Sequence, residues 1–331
     1  MQKRTIFYRL LEMIPGSLIW MTFIFSIVLS FYRPLWVIYF IIVYYFLWLL
    51  RIIYFVFYIF FSFIKYRRTQ QTDWFAKVQT FDNWEDYYHI IYLPTAGESV
   101  DVLRTTFNSL LNATYPSEKM IVILGGEGRM SEDFNPKAEI IKKEFENKFH
   151  KLLITVHPDG LENEMKGKGA NAHWMGHRSK ELIDELGLDY EKLIVSYFDS
   201  DTSAHQKYFA YLTYKYLTHP DPTKASYQPA VNYNNNIWDA PAAMRVTAFG
   251  TVFWLMAELM RPDRMHTFSS HSMSFKALVD VNFWQKDIVT DDSRIFLQCF
   301  FKYHGNYTVE PMYIPVSMDT VMDKNYWQSF K

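Results

Sequence analysis

The sequence predicts an α/β fold, a doubly wound and mostly parallel sheet, preceded by a transmembrane helical hairpin. Two long apolar stretches, with Arg51 as their one charge, crowd the first 64 positions. Beyond them, four short apolar runs alternate with stretches of helical length, the pattern of a parallel sheet with crossover helices. The fourth run stops abruptly on two carboxylates, Asp199 and Asp201, one residue apart.

The 331 residues leave room for one large domain or two small ones. Charge is unevenly shared. Residues 1–68 hold eight of the 34 Lys and Arg but one of the 35 Asp and Glu, leaving 26 against 34 for the remainder. A net charge of −1 points away from a nucleic-acid partner. The single cysteine, Cys299, excludes a disulfide within one chain and fits a reducing compartment.

Residues 17–32 carry no charge, residues 35–64 carry only Arg51, and Arg33-Pro34 separates them. A crossing helix needs about 20 apolar residues. We read 1–68 as a membrane hairpin spanning at about 17–32 and 35–64. A cleaved signal peptide and a hairpin buried in a soluble protein are the competing views; Phe31-Tyr32-Arg33-Pro34 is a poor cleavage site. Lys3, Arg4 and Arg9 precede the pair and Lys65, Arg67 and Arg68 follow it. The positive-inside bias therefore puts both ends in the cytoplasm, with the chain a multi-pass protein of the cell (inner or plasma) membrane. Arg51 is expected near the cytoplasmic face, with 52–64 partly in the interface.

Residues 69–87 read as a linker that packs on something, and 88–331 as the cytoplasmic domain. Apolar runs at 89–93, 120–124, 151–156 and 193–198 are the four strands. Helices are expected over 99–112, 131–150, from the 162–171 stretch to about 186, and over 206–217. Residues 226–231 suggest a further strand. The apolar helix at 242–260 is expected in the core or at an interface rather than across a membrane, with Arg245 and Glu258 near its ends.

Ligands of open α/β sheets gather at the carboxyl ends of the strands. Those ends offer Thr95 and Glu98, then a glycine turn with Glu127, then Lys166, Lys168 and Asn171, then Asp199 and Asp201. Paired carboxylates facing lysines suit a divalent cation shared with a polyphosphate. The bland alternative is a solvated turn in which Asp201 or Thr202 caps a helix. Farther on, Thr290-Asp291-Asp292 opens a helical run. Asp291 there is a candidate cap, and Asp292 a candidate proton acceptor for a hydroxyl nucleophile. Residues 268–273 are small and polar enough to line a cleft, and His271 reads as structural.

Together these motifs resemble the inverting family-2 glycosyltransferases of GT-A fold (nucleotide-diphospho-sugar transferase-like), the membrane-anchored group that includes cellulose and hyaluronan synthase-like enzymes. The resemblance runs from about His89 to Pro315. Pro94-Thr95-Ala96-Gly97-Glu98 is similar to the motif contacting the nucleotide base, and Lys168-Gly169-Ala170-Asn171-Ala172 to the Lys-Ala-x-Asn segment. Asp199-Ser200-Asp201 is similar to the metal-binding D-x-D, Ser269 to Ser272 to the acceptor loop, and Thr290-Asp291-Asp292 to the Thr-Glu-Asp motif. The resemblance implies a nucleotide-sugar donor, Mg2+ or Mn2+ on Asp199 and Asp201, and a glycan or lipid-linked acceptor deprotonated by Asp292. It implies donor contacts from Thr95, Glu98, Glu127, Lys168, Asn171 and Asp199. Two departures stand out: Gly125-Gly126 replaces an acidic pair, and no Gln-x-x-Arg-Trp is present. From the second we expect a chain cut before further membrane helices. A non-catalytic nucleotide-sugar-binding or scaffold subunit is the alternative to an enzyme.

Overall fold

The computed structural model describes residues 6–320, with side chains from residue 9 onward. The chain forms two compact units, Met1–Phe57 and Tyr58–Lys331. The Tyr326-Trp327-Gln328 stretch and everything else after Thr320 lie outside the described residues.

The first unit is helical. α1 (Ile6–Tyr32) contains Pro15, and α2 (Pro34–Gln71) begins one residue later, placing its proline where a first turn needs no N–H. Both helices are long and apolar enough to cross a membrane. Thr22 and Ser26 turn their hydroxyls back onto Leu18 and Thr22 carbonyls at 2.8 and 2.7 Å, so these polar groups need no water. Arg51 lies over the rings of Trp48 and Phe55. α2 is one continuous helix, and its residues from Tyr58 onward belong to the second unit.

In the stretch read as a linker that packs on something, Trp74 and Val78 are buried in the core. α3 (Trp74–Val78) starts on an Asp73 cap. Trp74 packs on Tyr211 and Tyr214 while its indole N–H donates to the Thr69 carbonyl at 2.7 Å. Scattered aromatics in a polar stretch were the visible sign of this anchor.

Then come β1 (Tyr88–Pro94), α4 (Val100–Leu111), β2 (Met120–Glu127), α5 (Ser131–Phe145), β3 (Lys151–His157), α6 (Lys168–Leu186) and β4 (Leu193–Tyr197). β5 (Ser203–Ala204), α7 (Tyr208–Thr218), β6 (Ala225–Asn232), α8 (Ala242–Glu258), β7 (Ser272–Ser274), α9 (Phe275–Asp280), α10 (Asp291–Lys302) and β8 (Thr308–Ser317) complete the order.

One eight-stranded sheet runs β3-β2-β1-β4-β7-β6-β8-β5. The first four strands are parallel, in register from Pro94 opposite Gly125 to Tyr92 opposite Tyr197. β7 runs against both β4 and β6, and β5 runs against β8. The sheet is thus mixed and mostly parallel, as expected, with β7 and β5 as its antiparallel strands. β7 is three residues of Ser and Met, too short and too polar to announce itself as a strand.

Each face of the sheet carries its own core. Ile91, Leu93 and Val122 pack with Leu103, Phe107 and Phe209 on one side. Ile90, Tyr92 and Ile123 pack with Met175, Ile183 and Trp284 on the other. Alternating side chains of one strand thus feed two layers. With the strands buried on both faces, their open carboxyl ends are left to carry polar chemistry.

Candidate active site

The parallel strands end together. After β1 the chain turns at Gly97, whose φ of +114° lies in the region that favours glycine. The Glu98 carboxylate accepts the Thr95 hydroxyl and, at 2.7 Å, the Ala96 N–H, and Ser99 then caps α4. β2 ends on Gly125-Gly126-Glu127. A side chain at Gly126 would overlap the Phe134 ring, its Cβ only 2.3 Å away, and one at Gly125 would meet Met175. Packing by α5 and α6 accounts for glycines where the resemblance led us to expect carboxylates.

The Gly125 carbonyl ties three segments. It accepts the Thr95 N–H at 2.8 Å and the Asn171 side-chain amide at 3.0 Å. Asn171 thereby locks α6 to the ends of β1 and β2, while its buried Oδ1 remains without a protein partner.

Lys168, the first residue of α6, joins the acidic groups. Its ammonium lies 2.5 Å from Asp199 Oδ1, 3.6 Å from Asp292 Oδ1, and over the Tyr197 ring. Burial lowers the pKa of this lysine. Asp292, Asp199 and Asp291 outweigh it and hold its pKa above the ordinary lysine range. Burial likewise opposes the charge on Asp199, but Lys168 and the Ser269 hydroxyl, donating at 2.5 Å, bring its pKa below the usual carboxylate value.

Asp201 differs. Its Oδ2 accepts the Asp319 N–H at 3.2 Å, while Oδ1 is buried without a partner. Burial, with Asp199 and Asp319 nearby, pushes its carboxyl up to about 7. An orphaned carboxylate oxygen beside a second carboxylate is a donor set that fits a hard divalent cation. Among the described residues no group of three or more His, Cys, Asp or Glu side chains could hold a metal, so substrate oxygens would complete the shell.

Thr290-Asp291-Asp292 opens α10, and the two carboxylates have separate surroundings. Asp291 is buried and accepts the Tyr197 hydroxyl at 2.6 Å, a partner the cap expectation did not foresee. Asp292 stays partly open, facing Lys168 and, at 3.9 Å, His271 Nδ1. Burial raises both pKa values, Asp292 further adding to Asp291, while Lys168 pulls each back. His271 is fully buried, its Nδ1 3.0 Å from the Phe268 carbonyl, and burial lowers its pKa to about 4. It is neutral at physiological pH.

Thr95, Glu98, Glu127, Lys168, Asn171, Asp199 and Asp201 line one cleft of about 300 Å³. Asp292 reaches that cleft through Lys168. Lys166 turns away to pair with Asp159 at 3.0 Å.

The sequence reading missed a second charged knot. His157, at the end of β3, lies 2.8 Å from Glu164 and 3.5 Å from Glu127, and Lys286 reaches Glu164 at 3.1 Å. Glu127 chiefly, and Glu164 as well, hold the His157 pKa up against the cost of burial. Its position at a parallel strand's carboxyl end was the available signal.

Such a sheet, with charged groups gathered at the ends of its parallel strands, defines a fold shared with glycosyltransferases. Among solved structures, the chain is similar to the mannosyltransferase PcManGT from Pyrobaculum calidifontis in complex with GDP-Man and Mn2+, at 12% identity, TM-score 0.50, over 82% of this chain and 67% of that one. S. aureus TarS residues 1–349 in complex with UDP-GlcNAc matches at 11% identity, TM-score 0.46, over 73% and 61%. No protein-family model matches the sequence, and no curated protein does.

Proposed function

We propose that the protein is a membrane-anchored, metal-dependent, inverting glycosyltransferase that moves a sugar from a nucleotide-diphosphate donor to a hydroxyl of a glycan or lipid-linked acceptor. One observation carries this reading: Lys168 lies between Asp199 and Asp292, residues 93 positions apart in the chain, 2.5 Å from the first and 3.6 Å from the second. The nucleotide sugar and Mn2+ bound by PcManGT support the choice of donor and cation. The basic residues flanking α1 and α2 support a cytoplasmic catalytic unit.

Asp199 and Asp201 would hold the Mg2+ or Mn2+, which when bound neutralises charge on the departing diphosphate. Lys168 would steady the same phosphates, exchanging its contact with Asp199 for them. Thr95, Glu98 and Glu127 line the nucleoside end, and Asn171 keeps that end in register by holding the Gly125 carbonyl. Asp292 accepts the proton of the acceptor hydroxyl as its oxygen bonds to the anomeric carbon. The bond from that carbon to the diphosphate breaks on the opposite face, so the nucleoside diphosphate leaves and the configuration inverts. A carboxylate whose pKa burial has raised is a better base than an exposed one.

In the full chain reconstituted in lipid, Asp292→Asn is expected to lower transfer at least about 100-fold while donor binding by calorimetry persists. Full transfer by this variant would end the base assignment. Donor binding without any turnover by the unaltered chain, over a panel of nucleotide sugars, would favour a binding subunit.

A further inference from the structure

Among the described residues, nothing covers an apolar face of α8. Val246, Phe249, Phe253 and Trp254 fall at positions i, i+3, i+7 and i+8 and so share one stripe. Their relative exposures are 73, 51, 55 and 43%, and Trp238, just before the helix, is 79% exposed. Residues 246–257 contain no charge. The hydroxyls of Thr247 and Thr251 close onto helix carbonyls at 3.1 and 3.0 Å, so the stripe's polar groups need no water. A bare apolar surface of this kind marks an interaction site.

Length and surroundings identify what covers it. At 17 residues the helix is shorter than the roughly 20 that a crossing requires. Arg245 lies near its start, and past its end Arg264 pairs with Glu258, leaving the charge to the helix ends and the stripe bare of it. A short helix with an uncharged Phe and Trp face suits the boundary between lipid headgroups and acyl chains. Its surroundings within the second unit agree. The Leu259 carbonyl, just after α8, accepts the Tyr313 hydroxyl at 2.8 Å, and Lys65 of α2 lies over the same tyrosine ring. Lys65 follows the exposed Phe60, Phe61 and Phe63 and precedes Arg67 and Arg68, where an apolar helix gives way to a basic run. Toward the cleft, Trp254 meets Phe268 edge-on, next to the Ser269 that donates to Asp199.

We propose that α8 lies in the bilayer surface with its Val246, Phe249, Phe253 and Trp254 stripe among the lipids, holding the acceptor side of the cleft against the membrane. The inference rests on reading α1 and α2 as membrane spans.

Phe249→Cys and Phe253→Cys, each in the full chain, are labelled with a nitroxide in nanodiscs of phosphatidylcholine and phosphatidylglycerol. Lys143→Cys, on the exposed face of α5, is the control, and the buried Cys299 is checked for labelling. Collisions with oxygen are expected to exceed those with a nickel chelate at 249 and 253, and the order to reverse at 143. Nickel access at 249 and 253 would overturn the proposal, as would exclusion of both probes, which signals a protein partner. Carbonate washing of membranes reports the spans separately. A chain that washes off defeats the hairpin reading, whereas a retained chain with water-exposed labels defeats only the role of α8.

Discussion

Lys168 is the residue on which the candidate site turns, because its charge lowers the pKa of Asp199, Asp291 and Asp292 together. Its charge lowers the pKa of Asp292 against the rise caused by burial. Under the proposed mechanism Asp292 works deprotonated, so activity is expected to fall as pH drops through that pKa. Lys168→Met removes the offset, and the acid limb of kcat/KM against pH is expected to move to higher pH, with weaker donor binding. A limb that stays in place would mean that Lys168 does not govern the base. The candidate residues stood out at this scale, since they lie at or just after a strand end or in the first turn of a helix. Their partners were not. That Asp291 takes the Tyr197 hydroxyl while its neighbour faces the lysine follows from a helical rotation of about 100° per residue, which a string of letters does not orient.

Elements explain why the residues meet. Gly125 and Gly126 let α5 and α6 lie directly on β2, and the close approach of α6 brings Lys168 over β4. A Cβ on Gly169 would press on the Gln285 carbonyl at 3.1 Å and on Asp291 at 3.3 Å, so this glycine admits the loop that delivers Asp292. Gly126→Ala pushes a methyl into the Phe134 ring, a rigid neighbour in the core. We expect a loss of about 1–3 kcal/mol by urea unfolding. Gly125→Ala meets the flexible Met175 and should cost less; equal losses would show that Phe134 can move aside freely. The four parallel strands and their helices were readable because unbroken apolar runs mark strands buried on both faces. β7 was unreadable, as its Ser-Met-Ser pairs between β4 and β6 through backbone bonds that carry no side-chain signature.

Across the whole molecule, buried histidines tie stability to pH. His89 is fully buried in β1, its Nε2 2.8 Å from the Thr213 hydroxyl, and burial lowers its pKa to about 3 from 6.5. Between those values the unfolded chain binds a proton that the folded chain refuses. Stability present above pH 6.5 is therefore lost progressively as pH falls toward 3. His89→Gln is expected to flatten that decline in the melting temperature, while an unchanged slope would assign it to other groups such as His271.

Local chemistry of the chain was sufficient for the apolar helices, the alternation of strand and helix, and the carboxylates and lysine at the element ends, because each is written in consecutive residues. Tertiary structure alone decided the mixed strand order, the burial of residues near Trp74, the His157 knot and the meeting of Lys168 with both Asp199 and Asp292. Those depend on contacts between segments tens to more than a hundred residues apart. Packing sets such contacts by shape, and shape is a property of the folded layers rather than of any one stretch.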